Sequence, residues 1–119
     1  MLAISTDSIY AHKMEGLHSP NAHYVQYPVL SDRNHEISRA YGVYNPEEGR
    51  AYRGLFIIDP QGILRGYMVY NDTVGRSADE ILRALQAYQY VAKTGRRAQA
   101  NWQPGWQGLL PQWEDIGKF

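Results

Sequence analysis

One turn, Asp59-Pro60-Gln61-Gly62, constrains this chain more than any other feature. It separates the apolar run Arg53-Gly54-Leu55-Phe56-Ile57-Ile58 from a second run, Ile63 to Tyr70, and both have strand length. Pro60 presets its φ and Gly62 accepts a positive φ, so the two runs fold back as a hairpin. In the second run Ile63, Arg65, Tyr67 and Tyr70 break strict alternation, which predicts partial exposure of one face. Downstream, Ser77 and Glu80 have capping-box spacing. A helix from about Ala78 to Thr94 follows, with Ile81, Leu85, Tyr88 and Ala92 in one stripe, Leu82 and Val91 beside it, and Gly95 as its stop.

Upstream, Leu2–Thr6 reads as a short buried strand, and Asp7 or Ser8 caps a helix from Ile9 to about Leu17. His18 to His23 is a loop containing Pro20. Val25 to Leu30 is an edge strand or an extended connector, because Pro28 cannot donate to a ladder. Ser31-Asp32-Arg33-Asn34 is a turn from which Asp32 or Asn34 caps a helix, His35 to Tyr41, with Gly42 at its C′ position. Asn45 to Arg50 is a surface turn, and Asn71 to Arg76 is a loop. The tail, Arg96 to Phe119, holds three Trp, two Pro and three Gly, and reads as an extended arm with aromatic anchors, on this chain or on a partner.

Composition removes several classes of function. Twelve basic residues balance twelve acidic ones, which argues against a nucleic-acid binder or a binder of anionic membranes. The basic cluster Lys93, Arg96 and Arg97 stands at a helix end and complements its dipole. No apolar run approaches the roughly 20 residues that span a bilayer, and the start, Met1 to Asp7, is too quickly polar for a signal peptide. The expected compartment is the cytoplasm. Cysteine is absent from all 119 residues, so this chain carries no disulfide, no thiolate metal site and no cysteine nucleophile.

Other chemistry-bearing residues read as ordinary. Gly62 to Gly66 is not a phosphate loop. His12, His18, His23 and His35 lack zinc-like spacing and read as surface histidines, so no metal or other cofactor is expected. Ser5, Ser8 and Ser31 lack a nucleophile elbow. Glu47-Glu48 is a solvated turn. Arg53 and Arg76 differ. Arg53 opens an apolar strand and Arg76 lies just before a helix N-terminus. The two could converge on one anionic group, or make two ordinary surface ion pairs.

Six segments, in order, carry a family resemblance. They are Ala3-Ile4-Ser5-Thr6-Asp7-Ser8, Val29-Leu30-Ser31-Asp32, Ile37-Ser38-Arg39-Ala40-Tyr41-Gly42-Val43, Arg53 to Asp59, Asn71 to Glu80, and Ala100-Asn101-Trp102-Gln103-Pro104-Gly105. Together they resemble the typical two-cysteine peroxiredoxins of the alkyl hydroperoxide reductase group. The resemblance implies an α/β, thioredoxin-like fold that reduces hydrogen peroxide and alkyl hydroperoxides. In that chemistry a peroxidatic cysteine becomes a sulfenic acid, a partner's resolving cysteine condenses with it, and a thioredoxin-type or flavoprotein donor reduces the disulfide. It further implies that this chain starts after the family's first half, which bears the peroxidatic cysteine or a selenocysteine in its place. The family's Val-Cys-Pro-Ala-Asn-Trp stretch corresponds to Arg97 to Trp102, which sets Ala98 in the resolving position. Arg53 matches the arginine that contacts peroxide and stabilises the thiolate, and Arg76 matches a second arginine bracing that site. Neither replaces a sulfur nucleophile. The Gly-Gly-Leu-Gly insertion linked with over-oxidation is not found between Leu17 and Tyr27, which resembles the robust bacterial type.

By the same resemblance, residues 1–95 are the C-terminal part of the thioredoxin-like domain and 96–119 its C-terminal arm. The missing strand would lie between the strands matching Leu2–Thr6 and Arg53–Ile58. Its loss exposes two sheet edges and apolar faces, at about 1–3 kcal/mol for each buried group left unpaired, against about 5–15 kcal/mol for a whole domain. An incomplete fold is therefore expected. The gap closes by re-pairing, or another chain fills it, or the sequence is a fragment. Two functions follow: part of a peroxidase inactive alone, or a structural, regulatory or chaperone-like subunit of such an assembly. The second would use homo- or hetero-oligomer contacts through Ile63 to Tyr70 and the aromatics Tyr67, Tyr70, Trp102, Trp106 and Trp113 as an exposed surface.

Overall fold

In the computed structural model, residues 1–117 are described, together with all side chains in that range except that of His23. The end of the expected arm, Lys118 and Phe119, lies outside the described residues, as does the reading of His23 as a surface histidine. The strands β1 (Ala3–Ser5) and β2 (Val29–Ser31) flank α1 (Ile9–His18). They pair in parallel, with Ala3, Ile4 and Ser5 opposite Val29, Leu30 and Ser31. This is a strand–helix–strand crossover, the connection a parallel pair requires. Ser8 caps α1 by accepting the Ala11 N–H at 3.1 Å.

The strand expected over Val25 to Leu30 is shorter and later. Asn21 to Val25 closes on itself as a 3₁₀ turn, with the Val25 N–H on the Ala22 carbonyl at 3.0 Å. Pro28 offers only its carbonyl, which accepts the Ala3 N–H at 3.0 Å, so ladder pairing begins at Val29.

The helix α2 (Glu36–Ala40) is held by Asp32, which is 2% exposed. Its carboxylate accepts the N–H of Ile37 at 3.1 Å, and both the N–H and the hydroxyl of Ser38 at 2.8 and 2.7 Å. Burial raises the Asp32 pKa, but the Ser38 and Ile37 hydrogen bonds, with His35 nearby, outweigh it and hold the group below the ordinary carboxylate value. Asn34 adds a bond to the Glu36 N–H. Gly42, at φ +72°, follows as the expected C′ residue.

Asn45 to Arg50 is more than a turn. Strands β3 (Tyr44–Asn45) and β4 (Arg50–Ala51) flank it and pair antiparallel, Tyr44 opposite Ala51 and Asn45 opposite Arg50. Runs this short leave no periodicity to read.

The hairpin of β5 (Arg53–Ile58) and β6 (Leu64–Tyr70) forms as expected, with Gly62 at φ +81°. Asp59 ties its turn, accepting the N–H groups of Gln61 and Ile63 at 2.9 Å each and Arg65 Nε at 2.7 Å. On β6, Arg65, Tyr67 and Val69 are exposed while Gly66, Met68 and Tyr70 are half-buried, so one face is open to solvent. The helix α3 (Ala78–Thr94) has its expected bounds, with Ser77 accepting the Glu80 N–H at 3.3 Å and Gly95 closing it at φ +68°. The Glu80 carboxylate grips Arg83 at 2.7 and 2.8 Å.

The three strand pairs remain three separate two-stranded sheets. Among the described residues β1 and β5 do not pair with each other, so of the three expected outcomes the gap is not closed by re-pairing. The expected core of α3 is not enclosed: no residue of that helix is buried, and Leu82, Leu85, Tyr88 and Val91 are exposed. Among the described residues the buried apolar side chains are Val43 and Trp102. Contacts cluster in two compact units, one of Met1–Leu55 with Met68–Val74, the other of Phe56–Tyr67 with the chain from Gly75 onward.

In the second unit the tail lies on its own chain. Arg97 and Leu109 exchange both backbone bonds, at 2.8 and 2.9 Å. Against the expectation of an exposed aromatic surface, Trp102 is 2% exposed, packed at a tilt against Tyr90, with Arg83 Nη1 on its carbonyl at 2.9 Å. Tyr70 is half-buried, whereas Tyr67, Trp106 and Trp113 are exposed.

Candidate functional site

Arg53 is the first residue of β5, and its side chain turns to the loop that follows β6. Arg53 Nε donates to the carbonyl of Asp72 at 2.9 Å. That carbonyl belongs to a rigid turn: Asn71 Oδ1 accepts the N–H and the hydroxyl of Thr73, both at 3.0 Å, and Val74 N–H donates to the Asn71 carbonyl at 3.0 Å. One guanidinium edge is thereby fixed, and among the described residues Nη1 and Nη2 have no partner. They form a planar donor fork suited to an anionic oxygen.

Asp72 is held twice. Besides its carbonyl bond to Arg53, its carboxylate pairs with Arg50 Nη2 at 2.7 Å. Arg50 Nε also donates to Glu48 at 2.7 Å. The Glu48 hydrogen bond, then the charges of Asp72 and Glu48, raise the Arg50 pKa above its ordinary value. Arg50 is neutralised by these two carboxylates and is not a second anion site.

Arg76 is exposed in the loop immediately before the Ser77 cap and belongs to the second unit, whereas Arg53, Arg50 and Asp72 belong to the first. Ala98 is half-buried in the second unit. It lines a cleft of about 330 Å³ with Arg83, Ala84, Tyr88, Gln99 and Asn101 among its neighbours.

Two histidines correct the surface reading. His12 Nε2 lies 2.5 Å from Ser5 Oγ, and Ser5 Oγ also accepts the Asp7 N–H at 3.1 Å and donates to Asp7 Oδ2 at 3.3 Å. His35 stacks on Tyr44 at 4.8 Å between centroids. The Nδ1 atoms of both rings are buried without a partner among the described residues. With nothing on Nδ1 to orient its ring, His12 does not complete a triad with Ser5; the bonds tie the turn between β1 and α1. Sequence reasoning missed this contact, and also the hold of Arg50 on Asp72. Ser5 and His12 face each other across the turn from β1 into α1, and Arg50 and Asp72 lie in different segments, so it is the folded backbone that brings each pair together.

The model of the AhpC/TSA family matches residues 1–67. Peroxiredoxin prdx-2 of Caenorhabditis elegans is 46% identical over 115 residues, covering 93% of this chain and 57% of that protein. A thioredoxin peroxidase of Echinococcus granulosus is 46% identical over 122 residues, covering 100% of this chain and 63% of its own length. The reduced 2-Cys peroxiredoxin of Plasmodium vivax superposes with a TM-score of 0.88 at 34% identity, over 95% of this chain and 60% of that one. AhpC of Enterococcus faecalis gives a TM-score of 0.77 at 35% identity, over 82% and 59%. The chain therefore spans about three fifths of the length of these relatives.

Proposed function

The chain belongs to the AhpC/TSA family, and on that premise we propose that it is the C-terminal part of a peroxiredoxin-type hydroperoxide reductase, inactive by itself. The observation that carries this reading is Arg53, anchored through Nε on the Asp72 carbonyl with its Nη fork left to a ligand.

Beside a thiolate supplied by an N-terminal half, that fork lowers the thiol pKa and stabilises charge on the peroxide oxygens as the O–O bond lengthens. The sulfur–oxygen bond forms as the O–O bond breaks. The sulfur is oxidised to sulfenic acid, and the departing oxygen takes a proton to leave as water or an alcohol. Arg76 is assigned to brace the same site. Ala98 in the resolving position leaves no disulfide partner on this chain.

The reductant is assigned as a thioredoxin-type or flavoprotein donor. Oligomer contacts are assigned to Ile63 to Tyr70, because among the described residues β6 pairs with β5 alone, which leaves its other edge for a partner. The division between domain and arm at residues 95 and 96 is supported by the left-handed Gly95 that ends α3. Among the described residues no helix is long and apolar enough to cross a membrane, and a cytoplasmic location is part of the same reading.

The test is peroxide turnover with dithiothreitol, which reduces a sulfenic acid without a resolving thiol, by the chain alone and by the chain mixed with an N-terminal half bearing cysteine or selenocysteine. Turnover is expected only in the mixture. Turnover by the chain alone, or none in a mixture that demonstrably associates, rejects the reading.

A further inference from the structure

We propose that Arg50 is a positioning residue for Arg53: by occupying the Asp72 carboxylate, it keeps that carboxylate off the Arg53 fork and so keeps the fork available to an anion. The purpose of this arrangement rests on the peroxidase reading, but its geometry does not.

Two arginines grip one residue at two different atoms. Arg53 Nε takes the Asp72 carbonyl at 2.9 Å, and Arg50 Nη2 takes the Asp72 carboxylate at 2.7 Å. Both arginines come from one short extended stretch, β4 and the start of β5, which is fastened between them by the Tyr52 N–H on the Val43 carbonyl at 2.8 Å. The Asx turn at Asn71 fixes the other side.

A guanidinium attached to a residue's carbonyl is within reach of that residue's own carboxylate, and a bidentate arginine–carboxylate pair is the strongest contact open to both. Were Asp72 free, it would compete with any ligand for Nη1 and Nη2. Arg50 removes the competitor, and Glu48, at 2.7 Å on Arg50 Nε, orients Arg50 for the task. Arg50 and Glu48 are well exposed, so the effect is modest in size.

The test reads Arg53 itself. Inorganic sulfate is titrated into the full chain, alone and with the N-terminal half, and binding is followed at the Arg53 Nε–Hε resonance. Arg50→Gln is expected to weaken the sulfate response about threefold, the factor an exposed ion pair supplies. The double variant Arg50→Gln with Asp72→Asn is expected to recover it, because the competing charge is gone. A merely stabilising role for the pair gives no such recovery, since the double variant lacks the pair as well. Asp72→Asn alone is expected to keep or strengthen the response, and it decides the matter if Arg50→Gln does not fold. The proposal is overturned if the unmodified chain shows no sulfate response at Arg53, if Arg50→Gln leaves the affinity unchanged, if the double variant is no better than the single one, or if Asp72→Asn alone weakens binding. Failure of the peroxidase reading shows separately, as absent peroxide turnover with the sulfate pattern intact.

Discussion

Trp102 packs against Tyr90 with ring centroids 5.0 Å apart and a 33° tilt, and its Nε1–H donates to the Trp106 carbonyl at 2.9 Å. This contact anchors the tail to α3, on which Leu82, Leu85, Tyr88 and Val91 stay exposed. Trp102→Ala is expected to destabilise the chain by about 3–5 kcal/mol, the usual cost of emptying a buried aromatic site. Trp102→Phe should cost less, because a ring still fills part of the site, although the N–H donor and some volume are lost. Urea unfolding followed by circular dichroism checks the order; equal midpoints for the three proteins would sink it.

Two glycines are required by close approach rather than by φ. A Cβ on Gly66 would meet the ring end of Tyr88, at 2.5 Å from the hydroxyl and 3.1 Å from Cζ, while one on Gly108 would collide with the backbone carbonyl of Arg97 and with Tyr90. Gly66→Ala and Gly108→Ala should each destabilise by about 1–3 kcal/mol. Gly108→Ala is expected to be the worse, because a backbone carbonyl cannot swing away. Adding Tyr88→Phe should recover part of the loss from Gly66→Ala and none of that from Gly108→Ala, a coupling that a double-mutant cycle measures.

Restoring a thiol at the resolving position separates two requirements of the proposed chemistry. Ala98 is half-buried beside the cleft that runs along Arg83 and Tyr88, with room for one added sulfur. Ala98→Cys alone is expected to give a thiol that labels with a maleimide but no peroxidase activity. Mixed with a cysteine-bearing N-terminal half and peroxide, it should form a cross-link that dithiothreitol reverses, visible on a non-reducing gel. A peroxide-dependent cross-link in the unaltered chain would contradict this account.

Asp32 ties stability to acid. Its hydrogen bonds from Ser38 and Ile37 hold its pKa below the ordinary value of 3.8. A carboxyl whose pKa is lower folded than unfolded contributes stability above the unfolded value and loses it as pH falls through the folded one. Asp59, held chiefly by the Ile63 N–H, and Glu80, held chiefly by Arg83, are shifted in the same direction. Thermal stability is therefore expected to be level above about pH 5 and to fall below about pH 4. In Asp32→Asn the fall should be shallower and the plateau lower. A pH profile parallel to that of the parent would show that Asp32 does not contribute to the acid limb.

The sequence by itself determined the local elements. Ser8, Ser77 and Gly95 set helix ends, and Asp59-Pro60-Gln61-Gly62 set the hairpin, because caps and tight turns are decided by a few adjacent residues. The absence of cysteine and the alanine at position 98 were equally legible there. Tertiary structure decided what depends on neighbours remote along the chain. It buried Trp102 against Tyr90 and left Leu82, Leu85 and Val91 of α3 exposed. It also brought Arg50 and Arg53 onto the two ends of Asp72. An apolar pattern states which face seeks cover, but cover exists only where another segment arrives. An arginine's place in a strand likewise does not state which oxygen its guanidinium will find.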